Sequence, residues 1–311
     1  MKYIVMSTAV QDVIRFADAR PEICAAGGAG IYALAGMRLW TDDVGIVTGV
    51  GADYSRLFGE WYRRNRLSMQ GLTVKTEYTP RNIIQYRSDG ERTETPVFGE
   101  SHYQGIEPQP ADLLPFLHDT AGVYVFKNAD PVFWRELLAL KRTHGFRLLW
   151  EIGADAALPS MLNTVLDIAR QSDMFSINCT EACSLFGVHG INAAIHMFFE
   201  NRLPCVYLRN GADGVYLLKD DTVWHVPSVS DAVVVDPTGG GNSSTGAALI
   251  GLCRDRSPAE IAAMGNVSAS VCIRQYGVPP AYDALLRQTA QVLMCQTAAR
   301  ARMLPADCFE A

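Results

Sequence analysis

No basic tract runs through this chain of 311 residues, whose 27 lysines and arginines are outnumbered by 33 aspartates and glutamates. A net charge of −6 gives no general electrostatic grip on a polyanion, which argues against nucleic acid as the principal partner. Long apolar runs are missing as well. None approaches the roughly 20 residues needed to cross a bilayer, so no membrane partner is expected. The opening stretch Met1–Met6 is too short for a signal peptide and predicts a first strand. The six histidines form no His-x-x-x-His or Glu-x-x-His pattern. Of the eight cysteines, Cys179 and Cys183 could share a helix face, but two thiols without a second pair make a poor zinc site. Most of the others sit in apolar surroundings, as free thiols do in a reducing cytoplasm.

Two common phosphate signatures are absent too. A P-loop needs Lys and a hydroxyl after its glycines, whereas Gly246 is followed by Ala247-Ala248. The first strand runs into Ser7-Thr8-Ala9-Val10-Gln11-Asp12 without a Gly-x-Gly, and Gly27-Gly28-Ala29-Gly30 lacks the third glycine at the right spacing. Both features disfavour NAD.

What the chain does contain is Val233-Val234-Val235-Asp236-Pro237-Thr238-Gly239-Gly240-Gly241-Asn242. A β-branched run, three glycines and an Ala/Leu-rich continuation predict a strand, a bare loop and a helix start. A helix start carries unpaired N–H groups and the positive end of the peptide dipole. Glycines let an anion reach them, and phosphate is the usual occupant. The competing reading is a turn that holds no ligand.

Strands are predicted at Tyr3–Thr8, Val44–Val50, Gly122–Phe126, Phe146–Glu151, Met174–Asn178, Cys205–Arg209, Gly214–Lys219 and Ala232–Val235. Helices are predicted at Gly30–Arg38, Ser55–Arg66, Val132–His144, Met161–Arg170, Glu181–Phe186, Ile191–Asn201, Ser243–Asp255, Pro258–Tyr276 and Ala281–Ala299. Short apolar strands alternating with amphipathic helices imply an α/β fold, with a mostly parallel sheet covered on both faces. Ligands in such sheets bind at the carboxyl ends of strands. Residues 10–21 and about 72–106 break the alternation with polar strand-like pieces, among them Asn82–Arg87 before Ser88-Asp89-Gly90, a hairpin signal. These predict a small β-sheet lid on a single domain spanning residues 1–311. The uncovered face of such a lid would be closed by substrate or by a second subunit.

In this order the motifs resemble those of the ribokinase-like (PfkB) carbohydrate kinases, over essentially the whole chain. Gly27-Gly28 and the helix after it are similar to the first signature of that family. Asn178-Cys179-Thr180-Glu181 matches its Asn-x-x-Glu motif. Arg209-Asn210-Gly211-Ala212-Asp213-Gly214 resembles its Thr-x-Gly-x-x-Gly segment. Asp236–Asn242 resembles Asp-Thr-x-Gly-Ala-Gly-Asp. The resemblance implies a three-layer ribokinase-like fold, a cytoplasmic enzyme, and phosphoryl transfer from ATP to a hydroxyl of a sugar or nucleoside. Gly239, Gly240 and Gly241 would then stabilise the developing charge. Glu181, with Asn178, would orient Mg2+ through water. Arg209, Gly211, Gly214 and Asn266 would bind nucleotide, and Asp12, Gly28, Tyr32 and Asp53 the acceptor. A monovalent cation requirement stays open, and dimerisation through the lid is expected.

Each polar residue also has a structural alternative. Asn178 and Glu181 could cap a helix, Asp53 could be an N-cap, and Asp12 a solvated turn residue. Arg209 could cover surface, Asn266 could be an exposed helix residue, and Tyr32 could pack beneath the lid or offer a stacking face to an aromatic substrate.

Three departures from the pattern stand out: Asn242 in place of the catalytic aspartate, Tyr32 in place of the sugar-contacting asparagine, and Arg209 in place of threonine. Together they suggest a divergent branch, similar to the fungal Mak32-like proteins. A carboxamide cannot take the hydroxyl proton, and a general base is worth about 10²–10⁴ in rate. Three explanations follow: a silent or weak kinase that still binds ligands, another base such as Asp12 or Asp53, or an engineered Asn242.

Overall fold

The computed structural model describes residues 1–88 and 91–309. Among these residues ten strands form the main sheet. Its centre is parallel: β1 (Tyr3–Met6) lies between β4 (Val44–Gly51) and β8 (Gly122–Lys127), followed by β9 (Arg147–Ile152), β10 (Met174–Asn178) and β11 (Cys205–Arg209). Beyond β11 the sheet turns antiparallel through β12 (Val215–Lys219), β13 (Thr222–Val226) and β14 (Arg302–Pro305). At the other edge β5 (Leu72–Thr76) pairs in parallel with β4.

Side chains on β1 alternate between two cores, as a strand buried on both faces requires. Tyr3 and Val5 enter one core with α1 (Ala29–Arg38), α2 (Tyr54–Arg64), α8 (Gly240–Cys253), α9 (Pro258–Cys272) and α10 (Ala284–Ala298). Ile4 and Met6 enter the other with α4 (Pro131–His144), α5 (Leu162–Ala169), α6 (Cys179–Phe186) and α7 (Ile191–Glu200). The result is three layers, helix on sheet on helix. All eight cysteines are unpaired. Among the described residues no single helix is long and apolar enough to cross a membrane.

A second sheet of four strands has the order β3-β2-β6-β7. It combines β2 (Val10–Arg15), β3 (Ile23–Gly27), β6 (Arg81–Tyr86) and β7 (Arg92–Pro96), with β2 and β6 parallel. The small sheet predicted from residues 10–21 and about 72–106 is therefore present, with altered bounds. Residues 72–76 belong to the main sheet, because β4 offers them an open edge. Residues Glu100–Ile106 form helix α3. Ile23–Gly27 joins the lid although its Ala and Gly content carries little strand propensity, because β2 supplies the pairing. Tyr86 opposite Arg92 fits the predicted hairpin, whose Asp89-Gly90 turn lies outside the described residues.

The predicted strand Ala232–Val235 does not form. Val233 and Val234 are exposed, and the Val235 and Asp236 N–H groups both donate to the Ile273 carbonyl, at 2.8 and 3.1 Å. Among the described residues no strand pairs with this segment, and β-branched composition does not make a strand without one.

Candidate active site

Helix α8 begins at Gly240, three residues before the predicted start at Ser243. Its N-cap, Gly239, has φ 74°, and a Cβ there would overlap the Tyr32 ring. Only glycine meets both conditions without strain. The Gly240 N–H turns back to the Pro237 carbonyl at 3.3 Å, and the Ser243 N–H reaches the Gly239 carbonyl at 2.9 Å. Among the described residues, the N–H groups of Gly239, Gly241 and Asn242 have no protein acceptor. Three main-chain donors thus remain at the positive end of a helix of 14 residues.

A guanidinium stands over this helix start. Arg209, the last residue of β11, lies so close that a Cβ on Gly241 would overlap its Nη1. Its Nη2 is 3.0 Å from Glu151 Oε1 and 3.9 Å from Glu181 Oε2. Arg209 is only 13% exposed, so it is not the surface cover that its long stem allowed. Its Nε is buried without a partner among the described residues. Glu151 ends the apolar part of β9 and is buried. Its Oε2 accepts from Tyr124 Oη at 2.7 Å, and its Oε1 also accepts from Asn242 Nδ2 at 3.1 Å. Asn242 therefore spends its amide on a carboxylate and on Tyr124 Oη, 3.4 Å away.

On the nucleotide side predicted from sequence, Asn178 caps α6. Its side chain accepts from the Glu181 N–H at 2.9 Å, and Glu181 accepts from the Asn178 N–H at 3.0 Å. This capping box holds the Glu181 carboxylate beside Arg209. Burial raises the Glu181 carboxyl above its ordinary value, with the Arg209 charge opposing. Gly211 and Gly214 bracket a short turn after β11 at φ 55° and 105°. Asn266 is buried on α9 and donates to the Val226 and Pro227 carbonyls, both at 2.9 Å, so it is not an exposed helix residue.

Of the residues expected from sequence to hold the acceptor, Asp12 is no solvated turn residue. It is 2% exposed on β2 and accepts from Tyr32 Oη at 3.1 Å. Burial pushes its carboxyl up to about 7, the Tyr32 hydrogen bond opposing. Tyr32 thus joins Asp12 to the glycine loop: its hydroxyl is on the carboxyl and its ring is against Gly239. Gly28 caps α1 with φ 89° beside the Thr8 carbonyl. Asp53 sits at the start of α2 but makes no side-chain cap. Its Oδ1 accepts from the Thr79 N–H at 2.7 Å and Thr79 Oγ1 at 2.6 Å, which anchors the segment leading into β6.

Four residues that matter here went unmarked in the sequence: Glu151, Tyr124, Arg92 and Tyr86. Glu151 had a signal, a lone carboxylate at the carboxyl end of a buried strand. The lid pair had none. Arg92 Nη1 and Tyr86 Oη reach Asp236 Oδ1 at 3.0 and 2.7 Å, over sequence separations of 144 and 150 residues. Arg92 also donates to Thr238 Oγ1, so the lid is tied directly to the glycine loop.

Comparison with known proteins agrees with this fold. The pfkB family carbohydrate kinase model matches residues 18–284. The cytidine kinase of Thermococcus kodakarensis is 25% identical over 276 residues, covering 86% of this chain and 94% of its own. Protein MAK32 of Saccharomyces cerevisiae is 27% identical over 175 residues, covering 49% of this chain and 48% of its own. Arabidopsis thaliana ribokinase, solved with ribose and ATP, superposes with a TM-score of 0.75 at 18% identity, over 94% of this chain and 98% of its own. With a matching family model over most of its length and a ribokinase-like fold, this chain belongs to the pfkB family of carbohydrate kinases.

Proposed function

We propose that the protein transfers the terminal phosphoryl group of ATP to a hydroxyl of a sugar or sugar-containing small molecule. The observation that carries this is the set of free N–H groups at Gly239, Gly241 and Asn242 with the Arg209 guanidinium beside them. Fixed dipoles and a fixed cation at one point stabilise a phosphoryl group as charge spreads over its oxygens.

The donor set fits magnesium held through water. Glu181 uses Oε2 for its cap, which leaves Oε1 without a protein donor among the described residues, and both Glu151 oxygens are taken. Magnesium arriving with the nucleotide supplies positive charge to the phosphates and keeps most of its waters. Among the described residues no cluster of three metal-ligating side chains exists to hold the ion alone.

Asn242 accepts no proton here; its amide is a donor to Glu151. Of the two carboxyls considered as substitutes, Asp53 is committed to Thr79, whereas Asp12 is poised near neutrality and touches the residue that packs on Gly239. Asp12 is the group to take the acceptor proton, late in a loose transition state. The test is incubation with ATP, magnesium and a panel of sugars, polyols and nucleosides, with phosphate transfer followed directly. Absence of transfer to every acceptor, for wild type and Asn242→Asp alike, contradicts the proposal.

The amide bonds of Asn242 favour a second reading, a nucleotide- and sugar-binding protein without turnover. Nucleotide binding by calorimetry with no product after long incubation selects it. Under either reading the protein is a cytoplasmic dimer joined through the lid, and a monomeric mass at micromolar concentration would remove the dimer.

A further inference from the structure

A cavity of about 500 Å³ opens between the last turn of α1, the chain leaving α2 and the start of α10. Asp42 in its wall lies just before β4 begins, so the cavity is at the amino ends of the strands. The glycine loop stands at the carboxyl ends, beside the last residue of β11. Among the described residues four arginines line the cavity, Arg38, Arg64, Arg66 and Arg287, against two aspartates, Asp42 and Asp283. In a chain of net charge −6, this one hollow carries two positive charges in excess. Helix ends change that little. Helices α1 and α2 finish here with about half a negative charge each, and α10 begins with about half a positive one. More than one unit of positive charge stays unmatched.

The guanidiniums are not used up by the protein. Arg38 is 4% exposed; its Nε donates to the Asn65 carbonyl at 2.8 Å, and its Nη1 to Asp42 and to the Thr41 carbonyl. Its Nη2 has no acceptor among the described residues and keeps accessible surface. Arg287 spends Nη2 on the Arg38 carbonyl and Asp42 Oδ1, at 2.9 and 2.6 Å, and its Nη1 is open in the same way. Among the described residues the Arg66 side chain has no acceptor, and Arg64 has only Glu60, 3.7 Å away. Each aspartate is already engaged. Asp42 Oδ1 bridges Arg38 and Arg287, and Asp283 Oδ1 accepts from the Leu286 N–H at 2.8 Å. Burial holds the Arg38 guanidinium below its ordinary value; Asp42 opposes this and Arg66 adds to it. Like charges held round one hollow repel, and a counter-anion removes that cost.

The lining also defines the anion. Guanidinium forks match the oxygens of a phosphate, and a phosphate monoester carries close to two negative charges at neutral pH, the size of the excess. A carboxylate supplies one. The volume leaves room for an organic part beside the phosphate. Among the described residues Tyr282 is the one aromatic ring in the wall, so that part is small and polar.

We propose that this cavity binds a phosphate monoester of a small polar molecule, at a site separate from the glycine loop. Helix α1, of 10 residues and about 15 Å, runs from its cap at Gly28 on the one side to Arg38 on the other. Ribose 5-phosphate, inorganic phosphate, acetate and ribose are titrated calorimetrically into wild type, Arg64→Gln, Arg66→Gly and the double variant, with and without a saturating non-hydrolysable ATP analogue. Both arginines are exposed, and Arg66 has φ 52°, which glycine adopts freely, so the variants keep the fold. Both phosphates are expected to bind beside the analogue and to weaken roughly 3- to 5-fold in each single variant, the scale of one exposed ion pair, and further in the double. Any binding of ribose or acetate is expected to be indifferent to the substitutions. Wild-type affinity in the double variant places phosphate on the glycine loop and overturns the proposal. Acetate binding as tightly as phosphate (an adventitious ion only) overturns it too, as does the absence of phosphate binding at millimolar concentration. None of these readouts needs turnover. A protein that transfers no phosphoryl group still gives the expected result, and a kinase without this site still transfers.

Discussion

Arg209 Nη2 lies 3.0 Å from Glu151 Oε1, and the guanidinium of that pair covers the first turn of α8. A cation beside the positive end of a helix is unfavourable by itself. Glu151 and Glu181 supply the compensating charge in the ligand-free protein. An incoming phosphate would take over that part. Removing the cation without a ligand strands a buried carboxylate. Arg209→Met is therefore expected to lower unfolding free energy by about 3–5 kcal/mol in urea titrations. A loss below 1 kcal/mol would show that the pair is not the neutralising element.

Asn242→Asp has two effects of opposite sign. It replaces a donor at 3.1 Å from Glu151 Oε1 with a second carboxylate, so stability falls by about 1–3 kcal/mol. It also adds a second base beside the glycine loop to the one proposed at Asp12, so turnover rises by at most about 10²-fold. Paired thermal melts and steady-state rates check both effects. A variant as slow as wild type would mean that position 242 does not face the acceptor hydroxyl.

The carboxyl of Asp12 is raised from 3.8 to about 7, chiefly by burial. Its charged form is thus disfavoured in the folded protein, and the unfolded chain releases the proton first. Stability from this group is greatest below pH 4, declines as pH rises through 4–7, and is flat above. Asp12→Asn removes that slope. Relative to wild type it should gain on the order of 4 kcal/mol at pH 8 and little at pH 4. Denaturant midpoints across pH 4–8 measure it, and parallel curves for the two proteins would contradict the assignment.

Asp236 is 1% exposed and accepts from both Arg92 and Tyr86 of the lid. Arg92→Ala leaves that carboxylate without its cation. The expected outcome is a loss of about 2–4 kcal/mol, with a rise in acceptor KM because the lid is no longer held over the glycine loop. Arg92→Lys should restore part of the stability. An unchanged KM in Arg92→Ala would separate the latch from substrate binding.

Much of the fold was legible because the central strands bury both faces, so their apolar runs stand out between amphipathic helices. What failed was local composition without a partner. Val233–Val235 has strong strand propensity and nothing to pair with. Ile23–Gly27 has little propensity and a waiting edge on β2. Strand β13 follows Asp220-Asp221, both at positive φ, a turn with neither Asn-Gly nor Asp-Gly to announce it. The glycine helix start was readable as chemistry, since main-chain donors need only glycines and a helix. The Glu151–Arg209–Asn242 cluster was not, because its members come from three distant parts of the chain and meet only at strand ends and a helix start.

The most direct measurement is a crystal structure with a non-hydrolysable ATP analogue and magnesium. The terminal phosphate is expected within hydrogen-bond distance of the Gly241 and Asn242 N–H groups, with an Arg209 nitrogen on the same phosphate. A nucleotide bound with those amides still empty, or with its phosphates directed away from α8, would contradict the account.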